Sequence, residues 1–185
     1  ETTAPPDDEA RGGSLIAAQG AEPDRFDPHL TSAYASFQVL ENVYDTLVQP
    51  GDDLQMEPAL AESWVVSDDQ LTWTFSLREG VTFHNGRDFV ADDVVYSYER
   101  IMDPDFGAAN AFRFESIESV TALDEHTVEI NLTRPTPNLL VNIGGFKGMS
   151  IIPQEIVDDG TIDSHPVGTG PFEFVSSSPD QGILL

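Results

Sequence analysis

The chain has 185 residues, of which 33 are acidic and 8 are basic, so its formal net charge at pH 7 is −25. This charge argues against a nucleic-acid partner, because phosphate binding requires a basic surface. The sequence contains no cysteine, which excludes disulfides, thiolate metal sites and a cysteine nucleophile. It also lacks any apolar run of the roughly 18 residues that a membrane span needs.

The acidic residues are spread along the chain as doublets, such as Asp52-Asp53 and Asp92-Asp93, and the only lysine is Lys147. Dispersed acids coat a surface and do not build one site. Their mutual repulsion destabilises the compact state at low salt, whereas the screening length falls to about 3 Å at 1 M salt. We therefore infer a halophilic protein, with an ordinary acidic secreted protein as the alternative.

This inference predicts salt-dependent folding. The melting temperature of the chain should rise as KCl is raised from low to molar concentration. The acidic residues lie closer together in the folded state than in the unfolded state, so screening relieves more repulsion in the folded state. Thermal unfolding followed by circular dichroism across a KCl series measures the effect. A melting temperature that stays flat over that series contradicts the halophilic inference.

The N-terminal third has three predicted segments. Residues 1–13 are polar and acidic with Pro and Gly, which predicts a flexible linker. Residues 14–19 form a short apolar run bounded by glycines, which predicts a buried strand. The next segment has apolar residues at i, i+3, i+7 and i+10, which predicts one face of a helix. These residues are Phe37, Leu40, Tyr44 and Leu47.

The middle of the chain is predicted to be rich in β-strands. Alternating apolar and polar residues predict two hairpins, formed by 64–66 with 71–77 and by 117–122 with 127–132. Between the hairpins, apolar residues at helical spacing predict a helix that begins near Ala91. Its inward face would carry Val94, Val95, Tyr98 and Ile101.

The stretch FHNGRDFVADDV, residues 83–94, collects many polar groups before that helix. We interpret it as a corner and not as a catalytic or metal-binding loop. His84-Asn85-Gly86 would make the turn, with Asn85 and Gly86 at positive φ. Asp92 and Asp93 would complement the dipole in the first turn of the helix.

The C-terminal third alternates short predicted elements. A helix is expected at 137–143, a strand at 150–152, a second helix from Pro153, and a last strand after 166–172. The tripeptide Gly168-Thr169-Gly170 is too short for a nucleotide-binding loop and predicts a tight backbone crossing with exposed N–H groups. The final residues begin an apolar strand with no later segment to pair with, so we expect the natural chain to continue.

No sequence motif marks a catalytic centre, and we predict no metal site and no cofactor. The four histidines lack the spacing of a metal site, which favours structural or surface roles. The calcium-loop, G-x-S-x-G and phosphate-loop patterns are absent. Two unmarked carboxylates could still meet in space, so an acidic secreted hydrolase is kept as an alternative, as is a non-catalytic surface module.

Several phrases resemble, in this order, the family 5 extracellular solute-binding proteins, the oligopeptide-, dipeptide- and nickel-binding receptors of ABC importers. These phrases are GGSLIAAQGAEPDRFDPHL, PALAESWVVSDDQLTWTFSLREGVTFHNGRDFVADDVVYSYERIMDP, ALDEHTVEINL and IIPQEI with PVGTGPF. The resemblance covers about residues 12–175. It implies an α/β fold with mixed α+β character, that of a class II periplasmic-binding-protein-like receptor with two lobes that close around a solute.

The resemblance also implies a division of the chain. Residues 14–48 would start lobe one, residues 49–165 would form its small β-rich subdomain, and residues 166–185 would return to lobe one. The rest of lobe one and all of lobe two would be absent, since family members are far longer. A chain without the second lobe is expected to bind solute weakly or not at all.

Matching by motif, the resemblance implies solute contacts from three loops. The loop after the first strand would contribute Thr31 and Ser32, and the loop after the long helix would contribute Ala111 and Phe112. Near the return strand the contacts would be Lys147, Gly168, Thr169 and Gly170, with Lys147 facing an anionic group of the solute or only solvent.

The implied protein is not an enzyme. Its solute is expected to be a peptide, with a nickel complex, a sugar or another solute left open, and its partner the permease of an importer. It would lie outside the cell, held to the membrane by an N-terminal lipid anchor.

Overall fold

The computed structural model describes residues 13–179 and 182–185, so the predicted linker at 1–13 lies outside it except for Gly13. The helices are α1 (Tyr34–Val43), α2 (Ala91–Met102), α3 (Leu139–Gly144) and α4 (Gln154–Asp158). The strands are β1 (Val48–Pro50), β2 (Met56–Pro58), β3 (Ala61–Val66), β4 (Thr72–Leu77), β5 (Ile117–Asp124), β6 (Thr127–Leu132), β7 (Ser176–Ser178) and β8 (Gly182–Leu184). Short 3-10 turns lie at Ala111–Phe114 and Lys147–Met149. Of the helices in these ranges, none combines the length and the apolar character needed to cross a membrane.

The central sheet has four antiparallel strands in the order β3-β4-β6-β5. Both predicted hairpins are confirmed, because β3 pairs with β4 and β5 pairs with β6. The two hairpins join where β4 pairs with β6, which places Trp73 opposite Ile130 and Phe75 opposite Val128. Because side chains alternate along a strand, these residues share the buried face.

Helix α2 packs against β5 and β6 and covers the buried face of the sheet. Its Val94, Tyr98 and Ile101 are fully buried, as the helical spacing predicts, whereas Val95 is only half-buried. The Tyr98 ring meets Phe114 edge-on at 5.0 Å, and its hydroxyl donates to the carbonyl of Ile143 at 3.3 Å. The helix thereby joins the sheet to the irregular C-terminal third.

The corner at residues 83–94 is confirmed as the turn into α2. Gly86 has φ of +84°, but Asn85 does not lie in the positive-φ region, so that part of the prediction is wrong. Asn85 stabilises the turn through its side chain, which accepts a hydrogen bond from the Arg87 N–H and donates one to Glu155. Asp93 accepts from the Val90 N–H and binds Arg87 with both carboxylate oxygens. The corner is therefore fixed from several sides.

Three sequence predictions about regular structure are wrong. Residues 14–19 form no strand and are exposed, Leu15 by 95% and Ile16 by 94%, because none of the described strands pairs with them. Residues 150–152 are buried but irregular, with the Ile151 N–H donating to the Asp45 carbonyl. Helix α1 ends at Val43, so Tyr44 and Leu47, which are predicted to lie on its face, belong to the segment that follows it. Both are buried all the same.

The other expected short elements are present. Helices α3 and α4 occur where they are predicted, and the predicted last strand begins at Ser176 and forms a short hairpin with β8. The segment 166–172 before that hairpin runs across the C-terminal end of α1, because the N–H groups of Gly170 and Phe172 donate to the carbonyls of Val43 and Asn42.

Candidate binding site

The loop at residues 28–32 lies beside the N-terminus of α1 and presents one of its two predicted contact residues to solvent. Ser32 is exposed, whereas Thr31 is buried and its hydroxyl donates to Asp24 at 2.7 Å. Hydrogen bonds from Ser36 and then from Thr31 hold the pKa of Asp24 below its ordinary value. The Thr31 hydroxyl thus orders the loop, and Ser32 is the residue open to a solute.

A group of aromatic rings lies next to this loop. Phe37 of α1 meets Phe146 edge-on at 5.0 Å, and the guanidinium carbon of Arg113 lies 5.1 Å from the Phe146 ring and 5.3 Å from the Phe112 ring. Phe112 is 61% exposed and is the member of this group most open to solvent. We call Phe37, Phe112, Arg113 and Phe146 the aromatic patch. Aromatic rings and a cation form a surface that suits amphipathic solutes.

The aromatic patch is fixed to the loop at 28–32 by backbone contacts. The Ala109 N–H, just before the 3-10 turn that carries Phe112, donates to the His29 carbonyl at 2.9 Å, and Phe37 lies in α1, which begins two residues after the loop. Ala111 is half-buried at the start of the same 3-10 turn as Phe112. The structure therefore brings Ser32, Ala111 and Phe112 into one region, although they come from distant parts of the sequence.

Lys147 and Thr169 meet at a residue that the sequence analysis missed. The Lys147 ammonium lies 3.1 Å from one carboxylate oxygen of Asp45, and the Thr169 hydroxyl donates to the other at 3.0 Å. The Lys147 side chain is only 14% exposed, so it is neither a solvated surface lysine nor a free cation. An anionic solute group would have to compete with Asp45 for this lysine.

The glycines at 168 and 170 form the close backbone crossing that the sequence predicts. A Cβ added at Gly168 would lie 2.0 Å from the Val43 carbonyl oxygen, and one at Gly170 would lie 2.6 Å from the Asn42 oxygen. The expectation of exposed N–H groups is wrong at both glycines. The Gly168 N–H donates to His84 Nδ1, and the Gly170 N–H donates to the Val43 carbonyl.

Replacing Gly168 with alanine is expected to destabilise the protein by about 2 kcal/mol or more, because the added Cβ overlaps a backbone oxygen that cannot rotate away. Urea unfolding at fixed KCl measures the change. Gly20→Ala is the matched control, since no atom lies within 4 Å of a Cβ built there. Equal stability of the two variants would show that the crossing is not tightly packed.

A buried polar network supports the loop at 28–32 from behind. The Arg100 guanidinium binds both oxygens of Asp27 and donates to His29 Nδ1 at 2.9 Å, and His29 Nε2–H donates to the Ser150 carbonyl at 2.9 Å. Burial lowers the pKa of His29 to about 4, against the opposing effect of the Ser150 carbonyl. His29 is therefore neutral at pH 7 and has a structural role, one of the roles predicted from its sequence context.

The chemistry available at this region is recognition. Three rings and one guanidinium lie together here, and in the described ranges no three His, Asp or Glu side chains are grouped as metal ligands would be. The sequence profile of bacterial extracellular solute-binding proteins, family 5, middle region, matches residues 55–185. The chain belongs to this family.

Curated relatives agree with the family 5 assignment. Heme-binding protein A of Haemophilus influenzae is 38% identical over 196 residues, which cover 92% of this chain and 36% of that protein. Di/tripeptide-binding protein 2 of Pseudomonas aeruginosa is 34% identical, covering 95% of this chain and 38% of that protein. The chain thus spans little more than a third of the length of these relatives.

A solved family 5-like structure shows the same backbone arrangement. The periplasmic binding protein AgaA from Agrobacterium tumefaciens, solved in complex with agropinic acid, superposes with a TM-score of 0.81 at 30% identity. The match covers 88% of this chain and 33% of that one. The expected fold, a family 5 binding-protein fold represented by part of its length, is confirmed.

Proposed function

We propose that this chain contributes one side of a receptor that binds a peptide outside the cell and delivers it to the permease of an ABC importer. The observation that carries the proposal is the aromatic patch near Ser32, in which Phe112 is exposed, on a chain that belongs to family 5. A di/tripeptide-binding protein among its relatives supports a peptide as the solute. A patch open on one side fits a ligand that is enclosed by a second surface.

The mechanism proposed is closure of two lobes around the solute. The solute would contact this chain through the aromatic patch and through the three loops implied by the family resemblance. The residues of those loops with accessible surface are Ser32, Ala111, Phe112, Lys147, Thr169 and Gly170, whereas Thr31 and Gly168 are buried and would shape the loops. The solute shifts the balance between open and closed forms by its differential affinity for them, and the closed form is what the permease recognises. Within this proposal the receptor performs no chemistry, works in molar salt and is held to the membrane by a lipid anchor.

The test is calorimetric titration of the complete gene product, beside the 185-residue chain, with di- and tripeptides in molar KCl. We expect saturable binding by the complete product and much weaker binding by the 185 residues, because the rest of the enclosing surface lies outside them. Micromolar peptide binding by the 185 residues alone would contradict the two-lobe mechanism. A hemin titration is included, since one relative is named as a heme-binding protein.

A variant links the binding to the aromatic patch. Phe112→Ala in the complete product should weaken peptide binding about tenfold, the loss expected for one aromatic contact. Leu123→Ala is the matched control, since Leu123 is 54% exposed and lies near the far end of β5 from the patch. Mass spectrometry of the recovered peptide tests the acidic-hydrolase alternative, which predicts cleavage where a receptor returns the peptide intact.

A further inference from the structure

The arginine and lysine residues are unequally paired. All of them except Arg11 lie in the described part of the chain, and four of these form ion pairs with a carboxylate: Arg25, Arg87, Arg100 and Lys147. Arg78 donates to the Ala59 carbonyl. Within the described ranges, Arg113 and Arg134 have neither a carboxylate partner nor a hydrogen bond made by the side chain, although the whole chain has 33 acidic residues.

These two arginines line the same cavity. It has a volume of about 260 Å³ and lies between the 3-10 turn at 111–114 and the segment 134–138. The two walls are tied together because the Thr133 N–H donates to the Ser116 carbonyl at 2.9 Å. Two cations from distant parts of the sequence therefore share one small space on a strongly acidic protein.

Two residues of the cavity wall also carry buried polar atoms that lack a partner. Arg113 Nε and Ser116 Oγ are both inaccessible to solvent and make no hydrogen bond with any described residue. A buried donor without an acceptor costs about 1–3 kcal/mol, so a small movement of the wall that exposed these atoms to an acceptor in the cavity would be favoured. Both residues line the cavity.

The Arg113 guanidinium is held in place before anything binds. It lies against the rings of Phe112 and Phe146, at 5.3 and 5.1 Å from their centroids. Glu115 is exposed and also lines the cavity, but it forms no ion pair with either arginine. A planar guanidinium fixed in this way matches the geometry of a carboxylate.

We propose that this cavity is an anion subsite that takes a carboxylate or a comparable small anion between Arg113, Arg134 and Ser116. The anion can come from two sources. One is a carboxylate of the solute, because Phe112 belongs both to the aromatic patch and to the cavity wall. The other is a free anion from the medium. The subsite adds to the proposed receptor function, but its test does not require peptide binding.

The test is a titration of the ¹⁵N-labelled chain with sodium acetate, and separately with sodium sulfate and sodium chloride, followed by NMR. We expect saturable shifts of the Arg113 Nε–H and Ser116 backbone N–H signals with acetate, half-complete in the millimolar range. Arg113→Gln and Arg134→Gln should each abolish saturation at Ser116. Arg78→Gln, an equal charge change away from the cavity, should leave it unchanged. Because Arg134 is exposed, its variant should fold even if the Arg113 variant does not.

The outcomes separate the possibilities. Shifts that grow linearly with every salt, and equally in Arg134→Gln, would overturn the proposal and leave two solvated arginines. If the subsite stands, a peptide with a free C-terminus is compared with its C-terminal amide in the complete gene product. A shift of Ser116 by the free acid alone assigns the solute carboxylate as the source, and no difference assigns a free anion. Peptide binding without acetate binding would leave the receptor proposal intact and reject this one.

Discussion

Replacing Arg100 with methionine is expected to lower the free energy of unfolding by about 3–5 kcal/mol. Arg100 and Asp27 are nearly inaccessible, with side-chain exposures of 9% and 2%, so the variant leaves a buried carboxylate without its cation. It also removes the donor to His29 Nδ1 and the guanidinium that lies 3.9 Å from the centre of the Phe106 ring. Urea unfolding at fixed KCl provides the measurement.

Two controls identify the cause. Arg25→Met breaks a half-exposed pair with Asp24 at 3.9 Å and should change stability by less than about 1 kcal/mol. The double variant Asp27→Asn with Arg100→Met should recover part of the loss, because no unpaired charge is then buried. If the double variant is no more stable than Arg100→Met alone, lost packing and not the unpaired carboxylate explains the effect.

The second large effect is a loss of stability in mild acid caused by His29. Its pKa is about 4 in the folded protein and 6.5 in its ordinary state, so the unfolded chain binds a proton that the folded protein does not. The contribution of the neutral His29 to the free energy of unfolding is complete above pH 6.5 and is lost as the pH falls from 6.5 to about 4. It amounts to about 3 kcal/mol over that window.

The measurement compares the wild-type chain with His29→Gln from pH 7 to pH 4 by urea unfolding. Titration of the surface carboxylates is common to both proteins, so the difference between their curves isolates the histidine. We expect the wild-type protein to lose stability relative to the variant as the pH falls. Parallel curves would mean that His29 has the same pKa in the folded and the unfolded protein. That result would conflict with its burial and with its contacts to Arg100 and Ser150.

The sheet and α2 could be predicted from the sequence because their partners are close along the chain. In the second hairpin only two residues separate β5 from β6, so alternation of side chains was enough to identify it. Residues 14–19 show the limit of this reasoning. An apolar run becomes a strand only when it pairs with another strand, and none of the described strands pairs with this one.

The candidate site was predicted less completely than the fold. Family phrases pointed to Ser32 and Phe112, but no spacing in the sequence relates Asp45 to Lys147, which is 102 positions away. The same holds for Arg100 and Asp27, which are separated by 73 positions. Such pairs depend on the route of the backbone, and an acidic chain offers too many carboxylates for the partner to be chosen by charge.

The contact between the corner and the glycine crossing has a consequence for the order of folding. The His84 ring accepts from the Gly168 N–H and donates to the Gly170 carbonyl, and these bonds join residues 84 and 86 positions apart. A contact of that span closes a long loop, so the chain loses conformational entropy before the contact can stabilise the folded state. We therefore expect the two hairpins to form first and this contact to form late, so that the glycine crossing joins α1 only after the β-rich part has folded.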